Sequence, residues 1–262
     1  MLPPVPAPAC KCCSFTTSLI GRLDFNRSCI DRLGTRAFPP SDRQVPYWAC
    51  GNCGFVFTDY MDQWSAEDFK REIYNTDYLK ADPPIPGRVT EVPVCETPSY
   101  QSGLTIASML QGSQDQIRIL DFGSGGDPGP TGLALIEQGF TVHSYEPYRS
   151  GSSFDPDSAY DVIIAIEVLE HCHDLRWLAQ FMSQHLRREG ILWIQTMLHP
   201  CPTPPGVLES WYIAPRNGHI SIFTLWSLTL LFRSVGINIV QMALATFGFK
   251  SLPRFPNRIF VG

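Results

Sequence analysis

From Gln116 onward the chain alternates short apolar runs with longer amphipathic ones. IRILDFG, TVHSYEP, YDVIIAI and GILWIQTML have the length and β-branched content of buried strands, and INIVQMALA and the terminal RIFVG follow later. Between them PTGLALIEQG, DLRWLAQFMSQHLRREG and TLWSLTLLFRSVG carry apolar residues at helical spacing. Strands that alternate with helices predict an α/β fold with a doubly wound, mostly parallel sheet.

The pattern upstream differs. Ser99 to Gln111 reads as an amphipathic helix, and SAEDFKREIY reads as another, with Ser65 as N-cap and acids in the first turn. Between them ADPPIPGRVTEVPVCETP is a proline-broken connector. Residues 1–60 show no long amphipathic period and are rich in cysteine, proline and aromatics, which predicts a small loop-rich unit held by something other than a core. The expected organisation is a 1–60 module, a 61–98 connector and a 99–262 α/β domain.

With 262 residues the chain has room for such a domain and an accessory module. A formal net charge of −5 provides no sequence-wide basic field, so nucleic acid is not an expected partner. No run of about 18 apolar residues appears, and MLPPVPAPAC lacks the features of an export signal, so a cytoplasmic protein without a membrane span is expected.

That expectation changes how the nine cysteines are read, because paired cysteines in such a compartment suggest metal ligation rather than disulfides. Cys10-x-x-Cys13 and Cys50-x-x-Cys53 have the spacing that lets both thiolates of a turn reach one ion, with Gly51 and Gly54 allowing the tight backbone. Four thiolates predict a closed, structural zinc site. Cys12 stands where it can replace either neighbour, and Cys29 has no partner at comparable spacing. The arginines between the knuckles, such as Arg22 and Arg36, are offset by Asp24, Asp31 and Asp42 and read as a solvated surface.

In ILDFGSGGDPGP, Asp121, Gly123 and Gly125 sit between a strand and a helix, at the carboxyl edge where α/β sheets bind ligands. About 20 residues on, Glu146 ends the next strand, where an acid can accept hydrogen bonds from ribose hydroxyls. A nicotinamide-binding loop would need a third glycine at position 128, which is Pro128.

The order LDFGSG, SYEP and YDVIIAIEVLEHCHD resembles the S-adenosylmethionine-dependent class I methyltransferases over roughly residues 99–262. The resemblance implies a Rossmann-like sheet of the seven-stranded type. It implies that Asp121, Gly123, Gly125 and Glu146 hold S-adenosylmethionine, with Glu167 of EVLEH at the cofactor pocket. The runs WYIAPRNGHISIFT and REIYNTDYLKADP also resemble a bacterial subgroup with an N-terminal Cys-x-x-Cys module, associated with polysaccharide or sugar biosynthesis. That subgroup implies a small soluble acceptor such as a nucleotide-linked sugar. Two features depart from the family pattern. Asp127 replaces the third glycine of D-x-G-x-G-x-G, and the segment from Pro147 to Tyr160 is short for a third strand, leaving Asp155 and Asp157 as substitute adenine-side contacts.

Methyl transfer needs a positioned acceptor and, for a weakly acidic acceptor, a base. His219, in a loop after a strand-like run, is the expected base, flanked by Tyr212 and Arg216; the alternative is that it fixes its own loop by hydrogen bonds. Glu167, Glu170 and His171 have i, i+3, i+4 spacing and would share a helix face able to hold a divalent cation. With a later histidine such as His219 they resemble the metal site of small-RNA 2′-O-methyltransferases and of some quinone-pathway O-methyltransferases, which keeps a metal-dependent RNA enzyme open as an alternative. An inactive cofactor-binding scaffold is the other. Trp193, Trp211, Phe223 and Trp226 read as core before they read as an acceptor-stacking surface.

Overall fold

The computed structural model describes residues 6–85, 92–146, 153–242 and 245–251. Its strands in chain order are β1 (Thr17–Asp24), β2 (Gln44–Cys50), β3 (Val56–Phe57), β4 (Arg118–Phe122), β5 (Thr141–Tyr145), β6 (Tyr160–Ile166), β7 (Leu186–Gln195), β8 (Ser221–Ile222), β9 (Asn238–Met242) and β10 (Ala245–Phe249). The helices are α1 (Ala66–Glu72), α2 (Tyr78–Ala81), α3 (Pro98–Met109), α4 (Pro130–Glu137), α5 (Leu175–His185) and α6 (Leu225–Arg233). They gather into two compact units drawn from separated stretches. One takes Met1–Pro86, Leu169–Leu178 and Thr196–Ser234; the other takes Gly87–Val168, Ala179–Gln195 and Val235–Gly262. Contacts therefore do not follow the contiguous 1–60, 61–98 and 99–262 division that composition suggests.

The second unit is built on a six-stranded sheet in the order β5-β4-β6-β7-β10-β9. β5, β4, β6 and β7 run parallel, and β10 is antiparallel to both β7 and β9. Ile119, Val162, Ile164, Ile191 and Phe247 are buried together with Ile106 of α3 and Leu135 of α4. Each such side chain removed from water contributes about 1.5–3 kcal/mol, so the apolar runs specify this sheet through burial.

Three details differ from the sequence reading. Six strands, rather than seven, stand in this sheet among the described residues, because the segment after β5 is too short to add one at that edge. α5 ends at His185 instead of continuing to Gly190; Leu186 pairs with Tyr160, and the register slips before Ile191 pairs with Val162. INIVQMALA is not one strand, since β9 and β10 lie antiparallel within and beyond it; RIFVG lies outside the described residues.

The first unit has its own four-stranded antiparallel sheet in the order β1-β2-β3-β8. This corrects the expectation of a loop-rich module without a core: Tyr47, Phe55, Phe57 and Phe223 are fully buried, with Phe55 stacked on Phe57 at 5.3 Å. Alternation is hard to read here because Gly21 falls at a register shift in β1, and because β8 comes from far along the chain. Pro46 is tolerated in β2 because β3 pairs only with Trp48 and Ala49. α1 starts at the predicted cap, where the Ser65 side chain accepts from the Asp68 amide and Asp68 reaches back to the Ser65 amide.

Candidate functional site

In the second unit, β4 runs into a glycine loop that ends at Pro130, the first residue of α4. Gly123 has φ +73°, and a side chain there would strike Val168 at 2.6 Å. Gly125 has φ +68°, and a Cβ there would meet nothing within 4 Å, so this turn opens onto free space. The Gly125 amide donates to Glu146 Oε2 at 3.0 Å, which joins the loop to the end of β5. Gly129 is the residue the sequence reading missed. A Cβ on it would lie 1.7 Å from the Ser124 carbonyl oxygen. The only sequence signal for it is a glycine directly before the N1 proline of a helix.

Asp121 lies beneath this loop rather than on its surface. It is 3% exposed and accepts the Gly132 amide at 3.1 Å, close to the start of α4. Burial pushes its carboxyl up to about 7, with Glu146 adding and the Gly132 amide opposing. A free aspartate titrates near 3.9, so the folded state holds this proton over a range where the unfolded chain has lost it. The stability this provides is complete below about pH 4 and is lost as pH rises to about 7. Melting temperatures of wild type and Asp121→Asn should therefore diverge across that window and run parallel above it. Parallel profiles throughout would show that Asp121 is ionised in the folded protein.

Asp127, in place of a third glycine, is occupied structurally. Ser153 Oγ donates to it at 2.9 Å while accepting the Ser144 amide at 2.8 Å. Asp155 accepts from Ser158 and from the Asp157 amide, closing its own turn. Glu167 follows β6 with a left-handed backbone, φ +50°, and its amide donates to the Gln195 carbonyl at 2.7 Å. Left-handed geometry costs a non-glycine residue about 1–2 kcal/mol, so this turn is a constrained one.

Glu167, Glu170 and His171 do not share a helix face. Only Leu169–His171 are helical, as a single 3-10 turn, because the left-handed residue stops the helix from starting earlier. In the first unit it is instead Glu170, His171 and His219 that meet, with a carboxylate oxygen and one nitrogen of each ring all within 4.8 Å of one another. Glu170 is fully buried and accepts from Tyr212 Oη at 2.7 Å and Thr196 Oγ1 at 2.9 Å. The His219 ring is 4.8 Å from His171 and 4.4 Å from Tyr212. His219 Nδ1 is 2.7 Å from the Tyr212 carbonyl; a carbonyl only accepts, so we assign the hydrogen to Nδ1 and the lone pair to Nε2. Burial, with His171 adding, lowers the His219 pKa to about 3, and burial lowers that of His171 to about 4, so both rings are neutral near pH 7.

The remaining acceptor-side candidates are tied into the fold. Arg216 is buried and donates to the Ile73 carbonyl and Asn75 Oδ1, both at 2.9 Å. Phe223 and Trp193 are core, Trp226 is exposed, and the Arg32 guanidinium lies 3.8 Å from the Trp211 ring centre. His143 bonds Tyr160 Oη, and His173 stacks on Phe69.

The two Cys-x-x-Cys turns converge as their spacing predicts. Cys10, Cys13, Cys50 and Cys53 form one group, with Sγ separations of 3.5–3.6 Å for the pairs Cys13–Cys50, Cys10–Cys53 and Cys13–Cys53. Zinc–thiolate bonds of about 2.3 Å would place tetrahedral sulfurs about 3.8 Å apart, so the group fits that ion with little adjustment. Cys12 and Cys29 lie outside it. Each turn closes on a left-handed residue, Ser14 at φ +59° and Gly54 at φ +71°, and the Asn52 and Cys53 amides point at Cys50 Sγ. Thiols this close cannot all ionise without a cation: Cys10 is drawn down through its bonds to Cys12 and Cys53, while Cys53 is pushed up by Cys10 and by burial. Beside the second turn, a cavity of about 650 Å³ is lined by residues including Ile20, Asn52, Pro204 and Leu208, within the size range of small-molecule pockets.

Residues 99–242, more than half of the chain, match the family described as a methyltransferase domain. No curated protein matches. Among solved structures, an O-methyltransferase family protein from Burkholderia thailandensis is 14% identical with a TM-score of 0.43, the match covering 58% of this chain and 56% of that one. The 1,6-didemethyltoxoflavin-N1-methyltransferase of Burkholderia thailandensis, bound to S-adenosylhomocysteine, is 16% identical at TM-score 0.37, covering 58% and 76%. The amino pentose methyltransferase CalS10 of Micromonospora echinaspora, bound to S-adenosylmethionine, is 11% identical at TM-score 0.40, covering 60% and 94%. The chain thus spans little more than half the length of the first of these. Among the described residues, no helix is long and apolar enough to cross a membrane.

Proposed function

The chain belongs to the methyltransferase domain family, and from that premise we propose that it transfers a methyl group from S-adenosylmethionine to a small soluble acceptor. The observation that carries this reading is the bond from the Gly125 amide to Glu146, which puts an acid beside a glycine turn open to ligand. When bound, the cofactor supplies the methyl group at a sulfonium for in-line displacement. Gly125 leaves room for it, Gly123 and Gly129 hold the loop's path, Glu146 accepts from the ribose, Asp121 supports the loop from below, and Glu167 borders the pocket.

Tyr212 and His219 are proposed as the acceptor-side residues. The Tyr212 carbonyl holds His219 Nδ1 and Glu170 holds the Tyr212 hydroxyl, and the lowered pKa of His219 leaves the Nε2 lone pair unprotonated near neutral pH. A nucleotide-linked sugar or related intermediate is the acceptor class we favour, from the likeness of WYIAPRNGHISIFT to sugar-pathway enzymes and because the net charge of −5 provides no sequence-wide basic field for nucleic acid. Cys10, Cys13, Cys50 and Cys53 are proposed to hold a structural zinc ion that keeps the wall of the 650 Å³ cavity in place.

Isothermal titration of the zinc-loaded protein should show binding of S-adenosylmethionine and none of NAD. Glu146→Ala should weaken that binding about 10–100-fold, the loss expected when hydrogen bonds to a charged acceptor are removed and the fold is kept. Wild-type affinity in the variant, or binding of NAD alone, would refute the cofactor assignment.

A further inference from the structure

We propose that the cavity beside the second Cys-x-x-Cys turn is a binding site for an uncharged small molecule that joins a hydroxylated head to an aliphatic chain. Every residue that lines it belongs to the first unit. Two walls enclose its volume of about 650 Å³. One is formed by β1, β2 and the turn that follows Cys50; the other is the loop from Cys201 to Leu208.

That loop is anchored at both ends. Near its start, Thr203 Oγ1 donates to the Gly54 carbonyl at 3.1 Å. At its end, Leu208 packs where Gly21 has no side chain, since a Cβ there would lie 2.6 Å from Leu208 Cδ1. The Arg27 guanidinium holds the same end by donating to the carbonyls of Leu208, Glu209 and Ser210. Between the anchors, Pro204 and Pro205 fix φ and stiffen the span. The second wall is therefore in place before a ligand arrives, which keeps the ordering cost of binding low.

The lining selects the ligand. It contains no charged side chain and no aromatic ring. An ionic group would lose water there without gaining a partner of opposite charge, and a flat base would find no ring to stack on. At the Leu208 anchor, Ile20, Val207 and Leu208 offer an aliphatic surface. The end beside the cysteine turn is polar. Thr203 has given its hydrogen to Gly54 and keeps its lone pairs, and Asn52 turns its amide nitrogen toward Cys13 Sγ at 3.7 Å, which leaves its carbonyl oxygen to accept. Ser18, paired with Ala49 one residue before Cys50, adds a hydroxyl that can donate or accept. Hydroxyl-binding groups at one end and aliphatic side chains at the other match a head and a chain. The inference stands apart from the methyl-transfer reading, because its readout is binding in the absence of cofactor.

The test uses the full chain with zinc in the cysteine site and no cofactor, titrated calorimetrically with n-octyl β-D-glucoside below its micelle concentration. Saturable binding of one glucoside per chain is expected. Its affinity should exceed by about 10-fold or more that of octyl sulfate and octylammonium, whose heads are charged, and that of glucose, which lacks the chain. Ser18→Phe places a strand-favouring ring at an exposed position of β1 and should weaken glucoside binding about 10-fold, with zinc content and melting temperature unchanged. If that variant does not fold, judged by its melting transition, Ile20→Thr serves in its place; it keeps a β-branched residue in β1, removes part of the aliphatic wall and should weaken binding about 5-fold. Wild-type protein that binds no glucoside would overturn the proposal. So would equal affinity for any of the three control compounds, or either folded variant binding the glucoside as wild type does.

Discussion

Cys50→Ser should release the zinc ion and cost the first unit several kcal/mol of stability. Cys50 is the last residue of β2, its sulfur is 3.5 Å from that of Cys13, and it receives the amides of Asn52 and Cys53. Losing it opens both knuckles and frees β2 from the turn to β3. In isolated zinc-finger peptides, apparent binding energies of about 10–16 kcal/mol are folding energy. Here the loss should be smaller, because Tyr47, Phe55, Phe57 and Phe223 remain buried when the ion is gone. The unit should therefore loosen rather than unfold completely, with a lower melting temperature and faster proteolysis near residues 10–15 and 50–54. Cys12→Ser is the control: Cys12 is buried but outside the four-sulfur group, so zinc content should stay at wild-type level. A Cys50→Ser protein with full zinc content and an unchanged melting temperature would remove Cys50 from the ligand set.

Why the knuckles were legible in full and the cluster of Glu170, His171 and His219 only with Glu167 added to it comes down to range. Cys10 and Cys13 declare their turn through local spacing, and two such turns need only one ion to bring them together. Glu170, His171 and His219 have no such local rule. Helical spacing within EVLEH pointed to Glu167 as the companion acid, but its left-handed backbone leaves it outside the 3-10 turn that carries Glu170 and His171. Thr196 and Tyr212, the residues that hold Glu170, are polar residues of ordinary appearance whose role exists only once β7 and the 210–219 loop are folded. The same distinction runs through the fold. β4 and β6 were legible because β-branched runs buried on both faces need no partner to be recognised. The start of β7 was not: Arg187, Arg188 and Glu189 suit the last turn of an exposed helix, and they fall in the register slip between Leu186 and Ile191, the residues that pair with β6. β1 and β2 were hidden by Gly21 and Pro46, which break the alternation by which a half-buried strand is read.

Within the cofactor loop, two alanine substitutions should fail in different ways and so separate the loop's framework from its binding surface. In Gly129→Ala the new Cβ would sit 1.7 Å from the Ser124 carbonyl oxygen, and because backbone rather than a flexible side chain opposes it, the 124–129 segment must shift. Overpacking of this kind costs about 1–3 kcal/mol. The shift also pulls the Gly125 amide away from Glu146, so several cofactor contacts are lost together and affinity for S-adenosylmethionine should drop about 100-fold or more. Gly125→Ala meets no atom within 4 Å, and its only penalty in the free protein is the left-handed backbone at φ +68°, about 1–2 kcal/mol. If the space above Gly125 is where the cofactor lies, that methyl group occupies it, and binding should fall although the melting temperature drops only slightly. Calorimetric titration and thermal melts of the two variants, side by side, decide the matter. A Gly125→Ala protein that binds S-adenosylmethionine as tightly as wild type would place the cofactor elsewhere and leave Glu146 as a loop tether alone. Equal losses of affinity with a large stability defect confined to Gly129→Ala would assign the loop both roles, with Gly129 setting its path and Gly125 its open face.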